Sequence, residues 1–381
     1  MSKKLTVETS CPLRSSFRVE QVAGMFDVPL TEKLTERFEV ELPDDDEPWD
    51  IGLIVGPSGS GKSTVARTHF AGALSERREW PREQAVVEAF DPLGIRETVG
   101  LLTAVGFGSP PAWIKPYEVL SGGERFRCDL ARALAVGMKP FSRREKDLVN
   151  TESSNTRPTV VFDEFTSTVD RNVARFGSAA VAKAIRSGRV ACRFVAVTCH
   201  YDVEPWLEPD WTLDMATGKL TRRRLRRPEI KLEVYRCSLD AWRLFARHHY
   251  LNGGLSWGAR CYVALWNDVP TALCAVLPMF ATRGRWRITR LVTLPDYQGL
   301  GIGTRLAEAV GDSYLRAGLR FGITSAHPAL LAHCRRSPRW KLTRVVRCGS
   351  GTHDRKFANY RGAAGRATAS FELLAERNHA E

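Results

Sequence analysis

The sequence lacks the marks of several large protein classes. No apolar stretch approaches the roughly 20 residues that span a bilayer; TALCAVLPMF at 271–280 is among the longest. An integral membrane protein built from helices is therefore not expected. The opening residues, MSKKLTVETS, hold no apolar core, so no export signal is expected either. The nine cysteines stand at 11, 128, 192, 199, 237, 261, 274, 334 and 348, with no C-x-x-C pair. An odd, scattered set argues against a disulfide scaffold. It fits reduced thiols in a cytoplasmic protein, most of them packed as small hydrophobes. Internal repeats and long low-complexity linkers are missing too. With 43% hydrophobic residues, the 381-residue chain can form real cores and is long enough for two domains.

Positive charge is abundant and unevenly placed. Net charge is +13. Residues 221–381 hold 28 Lys and Arg against 11 Asp and Glu, a surplus of 17, whereas residues 1–220 hold 28 against 32. So basic a second part calls for a polyanionic partner, nucleic acid first. A composition break at TRRRLRRP, 221–228, puts a boundary near 225 and divides the chain into 1–225 and 226–381. Residues 211–220 read as a hairpin turning at Ala216-Thr217-Gly218, and the polar stretch 139–157 as a surface loop.

The first part carries a phosphate-binding pattern. The apolar strand IGLIV, 51–55, runs directly into GPSGSGKST and then a helical stretch. This is G-x-x-x-x-G-K-S/T in the strand–loop–helix context it requires. Gly56, Ser58, Gly59 and Gly61 let backbone N–H groups turn inward around phosphates, and the helix start adds a positive dipole end. Lys62 supplies a point charge, Ser63 a hydroxyl for Mg²⁺, and Thr64 continues the motif. A second apolar strand, 158–162, ends in Asp163-Glu164, which places one carboxylate for Mg²⁺ and one to polarise water. A third, 190–198, ends near His200, in reach of a γ-phosphate. Between them Ser121, Gly122 and Gly123 open another helix, a second anion-binding terminus.

Taken together, GPSGSGKST, LSGGE, VVFDE, Ser167-Thr168-Val169-Asp170 and His200 resemble the ABC-type ATPase family over roughly residues 10–220. The resemblance implies ATP with Mg²⁺, Glu164 and His200 as catalytic residues, and a head-to-tail homodimer. Each ATP would then lie between the Gly56–Thr64 loop of one copy and the Ser121–Gly123 signature of the other. The family's glutamine after the strand corresponding to 85–90 is replaced here by Asp91. Phe17, Phe26 and Phe38 are candidates for the aromatic that stacks on adenine.

A second glycine turn lies in the basic part. The strand 286–294 runs into PDYQGLGIG and a helix, with 261–266 and 271–277 as a preceding antiparallel pair. Q-x-x-G-x-G in this setting resembles the GNAT N-acyltransferase family, over about 229–381. The resemblance implies that Gln298, Gly299, Gly301 and Gly303 hold the pyrophosphate of acyl-CoA, with acetyl-CoA the expected donor. Backbone N–H groups near Leu291–Thr293 would stabilise the oxyanion. The family's usual tyrosine acid has no counterpart on the helix 328–336, where His333 and Cys334 stand instead. His249, after an amphipathic helix at 239–247, and His327 are candidate bases. The segments HHYL and PDYQGLGIG also resemble phage Mom-type DNA-modification proteins. Residues 353–361 mix basic and aromatic side chains as a base-stacking segment would.

The fold expected is α/β: an ABC-type P-loop domain followed by a GNAT-like domain with a mixed, mostly antiparallel sheet. The function expected is a soluble ATPase coupled to an N-acyltransferase that acts on a nucleic-acid base amine, DNA before RNA. Two alternatives remain at the level of sequence. One is an ATP-gated protein or small-molecule N-acetyltransferase. The other is a DNA-maintenance or defence ATPase whose GNAT-like part only binds.

Overall fold

The computed structural model describes residues 2–12, 14–29, 33–44, 46–75, 79–138, 157–222, 225, 227–249, 254–279, 282–347 and 367–375. The insert at 139–156 and the basic-aromatic stretch at 353–361 lie outside them. The chain opens with β1 (Ser2–Pro12), α1 (Phe17–Phe26) and β2 (Lys33–Pro43). β1 and β2 form an antiparallel ribbon. Next come β3 (Ile51–Val55), α2 (Lys62–His69), α3 (Ile95–Ala104), α4 (Pro110–Trp113) and α5 (Gly122–Leu134). The first sheet is completed by β4 (Thr159–Phe162), α6 (Arg171–Arg186), β5 (Arg193–Thr198), α7 (Glu204–Leu207), β6 (Trp211–Asp214) and β7 (Lys219–Thr221). Its order is β4-β5-β3-β6-β7. All pairs are parallel except the β6–β7 hairpin.

All five residues of β3 are buried, which is why the strand reads as an unbroken apolar run rather than an alternation. Leu53 and Val55 enter a core shared with α3, α5 and α6, while Ile54 joins the ribbon and β6 on the other face. Val86–Phe90, expected as a strand, is a 3-10 turn. Val86 and Phe90 are its buried residues, four apart, so the apolar run follows a helical spacing instead of a strand's.

The second sheet begins with β8 (Glu233–Cys237), α8 (Trp242–Phe245), β9 (Arg260–Trp266) and β10 (Val269–Pro278). It continues through β11 (Arg285–Thr293), α9 (Ile302–Arg316), β12 (Arg320–Ser325), α10 (Pro328–Arg336), β13 (Trp340–Arg347) and β14 (Ala367–Leu373). Its order is β13-β14-β12-β11-β10-β9-β8, with β11–β12 the parallel pair. Successive residues of β10 serve opposite cores. Ala272, Cys274 and Val276 pack under α9, while Leu273 and Ala275 meet Trp242 and Phe245. The amphipathic stretch 239–247 is not one helix: α8 is a single turn flanked by 3-10 turns.

The two sheets share a core. Phe176 of α6 is fully buried among residues of the second sheet and packs edge-on against Trp266 and Tyr297, with centroids 5.1 and 5.2 Å away. No described helix is long and apolar enough to cross a membrane.

Candidate functional site

Three parallel strands deliver the first site. Their register puts Val55 beside Thr198 and Phe162 beside Ala196. The Gly56–Thr64 loop, Asp163-Glu164 and His200 therefore emerge together at the carboxyl ends of β3, β4 and β5. Gly59 and Gly61 have φ of +80° and +79°, and Gly61 starts α2 with no side-chain cap. The first N–H groups of α2 are thus left for an anion. Ser63 Oγ donates to Asp163 Oδ1 at 2.9 Å, so a hydroxyl and a carboxylate already face one another. Lys62 Nζ is folded onto the Pro57 carbonyl at 2.6 Å. Glu164 is exposed and sits at φ +56°, an uncommon conformation for a non-glycine residue that clusters at functional sites. His200 is half-buried, its backbone N–H donating to Thr198 Oγ1. Phe38 packs beneath the loop: a Cβ on Gly61 would lie 2.6 Å from its ring. Phe17 and Phe26 are 76% and 70% exposed on α1.

Ser121 caps α5. Its Oγ accepts from the Glu124 backbone N–H, and the Ser121 backbone N–H donates to Glu124 Oε2 in return. Ser121 and Gly122 are exposed. Among the described residues, no hydrogen bond or ion pair joins residues 56–64 to 121–124.

The second site grows from a split in the second sheet. β11 pairs with β12 only over Arg285–Ile288, yet stays paired with β10 out to Thr293. Beyond Ile288 one edge of β11 is open. Leu294 N–H donates to Thr271 C=O across the β10 side. The alternation of an antiparallel pair then turns the N–H groups of Leu291 and Thr293 to the open edge. β11 runs through the glycine turn into α9. Gly299 and Gly301 have φ of +96° and +86°, and Gly301 starts α9 uncapped. Gly303 lies flat on β11, where a Cβ would fall 2.6 Å from Thr293 Oγ1.

The candidate histidines occupy different stations around this split. His333 Nε2 lies 2.9 Å from Glu308 Oε1, and Trp340 Nε1 donates to the same oxygen at 3.1 Å. Burial opposes the charge of Glu308, but these bonds outweigh it and hold its carboxyl below the usual range. Cys334, one residue on, is buried in the core, and burial pushes its thiol up to about 12. It packs; His333 faces the cleft. His249 also lines the cleft and meets Trp242 edge-on at 5.7 Å. His327 Nε2 lies 3.2 Å from the Gly108 carbonyl; burial lowers its pKa, partly offset by that bond.

Gly108 belongs to the first part of the chain, and it shapes the second site. Its N–H donates to Gln298 Oε1 at 2.6 Å, while Gln298 Nε2 donates to Thr293 C=O at 2.9 Å. The Gln298 side chain therefore buttresses the turn rather than entering it. Gly299 touches Gly106 and Ala180 so closely that a Cβ would lie 3.0 Å from one and 2.8 Å from the other. The cleft of about 930 Å³ is lined by both parts. Sequence reasoning missed Glu308, Gly108 and the cleft's far wall. Only Glu308 left a trace, as a carboxylate inside the buried stripe Ala307, Gly311, Tyr314 of α9.

None of the curated proteins compared with the chain matches it. Among solved structures, the ribosomal-protein-S18-alanine N-acetyltransferase from Escherichia coli is 14% identical with a TM-score of 0.30, over 39% of this chain and 98% of its own. A Bacillus subtilis acetyltransferase in complex with CoA is likewise 14% identical, with a TM-score of 0.29 over 39% of this chain and 100% of its own. The ATP-binding cassette MJ0796 bound to ADP and Pi is 16% identical, with a TM-score of 0.37 over 59% of this chain and 99% of its own. Residues 228–329 match the acetyltransferase (GNAT) family.

Proposed function

We propose that the chain binds and hydrolyses ATP in its first part and, in its second, transfers an acyl group from acyl-CoA to an amine of a nucleic-acid base. The two parts would divide near residue 225. The observation that carries the transferase reading is the open edge of β11 beside the uncapped, glycine-led start of α9. The turn offers N–H groups to a pyrophosphate, and the strand offers the N–H groups of Leu291 and Thr293 to a carbonyl oxygen that gains charge. In the transfer, the amine nitrogen bonds to the acyl carbon, the carbon–sulfur bond breaks, and the thiol leaves with a proton. His249 and His333 would accept and return protons, with Glu308 orienting His333.

In the first part, Ser63 and Asp163 suit Mg²⁺, because a hydroxyl and a carboxylate already converge there. Glu164 would polarise the attacking water and His200 contact the γ-phosphate. The Ser121–Gly123 terminus, exposed at Ser121 and Gly122, would complete the nucleotide site of a second copy, giving a head-to-tail dimer.

A nucleic-acid acceptor is favoured by the surplus of 17 positive charges in residues 221–381; DNA is put before RNA on the resemblance of HHYL and PDYQGLGIG to Mom-type DNA-modification proteins. A cationic acceptor such as a polyamine is disfavoured, since the described lining of the cleft includes four Lys and Arg and no carboxylate. The test is to express wild type and Gly301→Glu in cells and compare digested DNA and RNA pools by mass spectrometry. The reading expects a nucleoside of increased mass with wild type alone. Identical pools would overturn base modification.

A further inference from the structure

The acyl-CoA site, as proposed above, is walled on one side by the ATPase part. Lys183 stands near the end of α6, more than a hundred residues before the glycine turn in sequence. In space its Nζ would be 3.9 Å from a Cβ on Gly301, the residue that starts α9. Lys183 thus brings its ammonium to the residue that starts α9, where the helix has no side-chain cap. Arg96 and Arg189 of the first part line the same cleft, as does Arg336 of α10. Among the described residues, Lys183, Arg189 and Arg336 make no hydrogen bond or ion pair with a carboxylate.

Like charges do not gather without a reason. Crowding by protein, then Arg189, Arg227, Arg336 and Arg305, lowers the pKa of Lys183. Arg189 is lowered by burial and by Arg336. An anion in the cleft would relieve this mutual repulsion, and the pyrophosphate and 3′-phosphate of CoA carry the matching charge. The wall is fixed in place by the contact of Gly299 with Gly106 and Ala180 and by the bond from Gly108 to Gln298.

We infer that Lys183 of the ATPase part completes the pyrophosphate site of the acyltransferase part, so that acyl-CoA is held between the two. This inference rests on the acyl-CoA reading of the glycine turn.

Calorimetric titration of the full-length chain with CoA and with dephospho-CoA tests it, using wild type, Lys183→Gln, Lys183→Arg and Gly301→Glu. Lys183→Gln is expected to weaken CoA roughly tenfold or more, the scale of one charge-assisted contact. ATP affinity and melting temperature should hold, and Lys183→Arg should restore most of the loss. Dephospho-CoA should suffer equally, because it keeps the pyrophosphate. A loss confined to CoA would overturn the pyrophosphate assignment. Unchanged binding by Lys183→Gln, with binding lost in Gly301→Glu, would overturn the shared site and leave the acyl-CoA reading standing. A wild type that binds neither ligand would sink both.

Discussion

Two glycine turns open two helices in this chain, and their backbones are nearly the same. Gly59 and Gly61 precede α2 with φ of +80° and +79°; Gly299 and Gly301 precede α9 with +96° and +86°. Each follows a strand, and each helix starts without a side-chain cap. Their surroundings differ. Within one copy, the first turn is furnished by the first part of the chain alone, from Lys62, Ser63 and Asp163 with Phe38 beneath. The second is roofed by Gly106, Gly108, Ala180 and Lys183, which belong to the other sheet's helices and loops. The same local device can thus be lined by its own part of the chain or by both parts, and only the tertiary contacts decide which.

The largest expected effect tests whether the turns are independent. Lys62→Ala removes the fixed charge of the first turn and should lower ATP hydrolysis by about 10²-fold or more, measured as phosphate release. CoA affinity at the second turn should not change. A parallel fall in CoA affinity would show that the shared roof transmits the nucleotide state to the second turn.

The next effect is on stability and contrasts matched glycines. A Cβ on Gly299 meets Ala180 at 2.8 Å and the Gly106 backbone at 3.0 Å, on top of the positive φ. Gly299→Ala should cost about 1–3 kcal/mol beyond the conformational term, because the two parts must separate to admit it. At Gly59 a Cβ meets nothing within 4 Å, so Gly59→Ala should cost only the left-handed penalty of about 1–2 kcal/mol. Urea unfolding of both variants measures the gap; equal losses would mean that the contact at Gly299 is loose.

The same contrast explains what could be read from the sequence. At the first turn the phosphate loop, Asp163 and His200 were legible because they sit at strand ends in chain order, and parallel register does the rest. At the second, the glycine spacing and the antiparallel pair before it were legible for the same reason. Lys183 was not, because a lysine near a helix end reads as solvated surface until the α6–α9 approach is known. Phe176 was hidden likewise, its burial coming from the other half of the chain. Val86–Phe90 misled because only two of its residues, four apart, are buried, and so short a run does not separate that spacing from a strand's. The helix expected at 239–247 had the right spacing, but 3-10 turns flank α8 on both sides and leave it a single α-turn.

The smallest effect concerns pH and the strap that holds the second turn. His327 contacts the Gly108 carbonyl, one residue's backbone away from the bond to Gln298. Burial holds its pKa below the ordinary 6.5. In the unfolded chain this histidine takes up a proton as pH falls past 6.5, while in the fold it resists. The unfolded state then binds more protons, so the contribution is present above about 6.5 and is lost as pH falls through the folded value. Within that window the loss is at most about 1.4 kcal/mol per pH unit. His327→Gln has no proton to gain and should flatten this slope. The urea midpoint of wild type should therefore fall further than that of the variant between pH 7.5 and 5.5. Because the strap touches only the second turn, CoA affinity should weaken with it over the same range in wild type and less in the variant. Equal slopes in the two proteins would show that protonating His327 does not load the strap, and that the second turn is held by Gln298 and the glycine contacts alone.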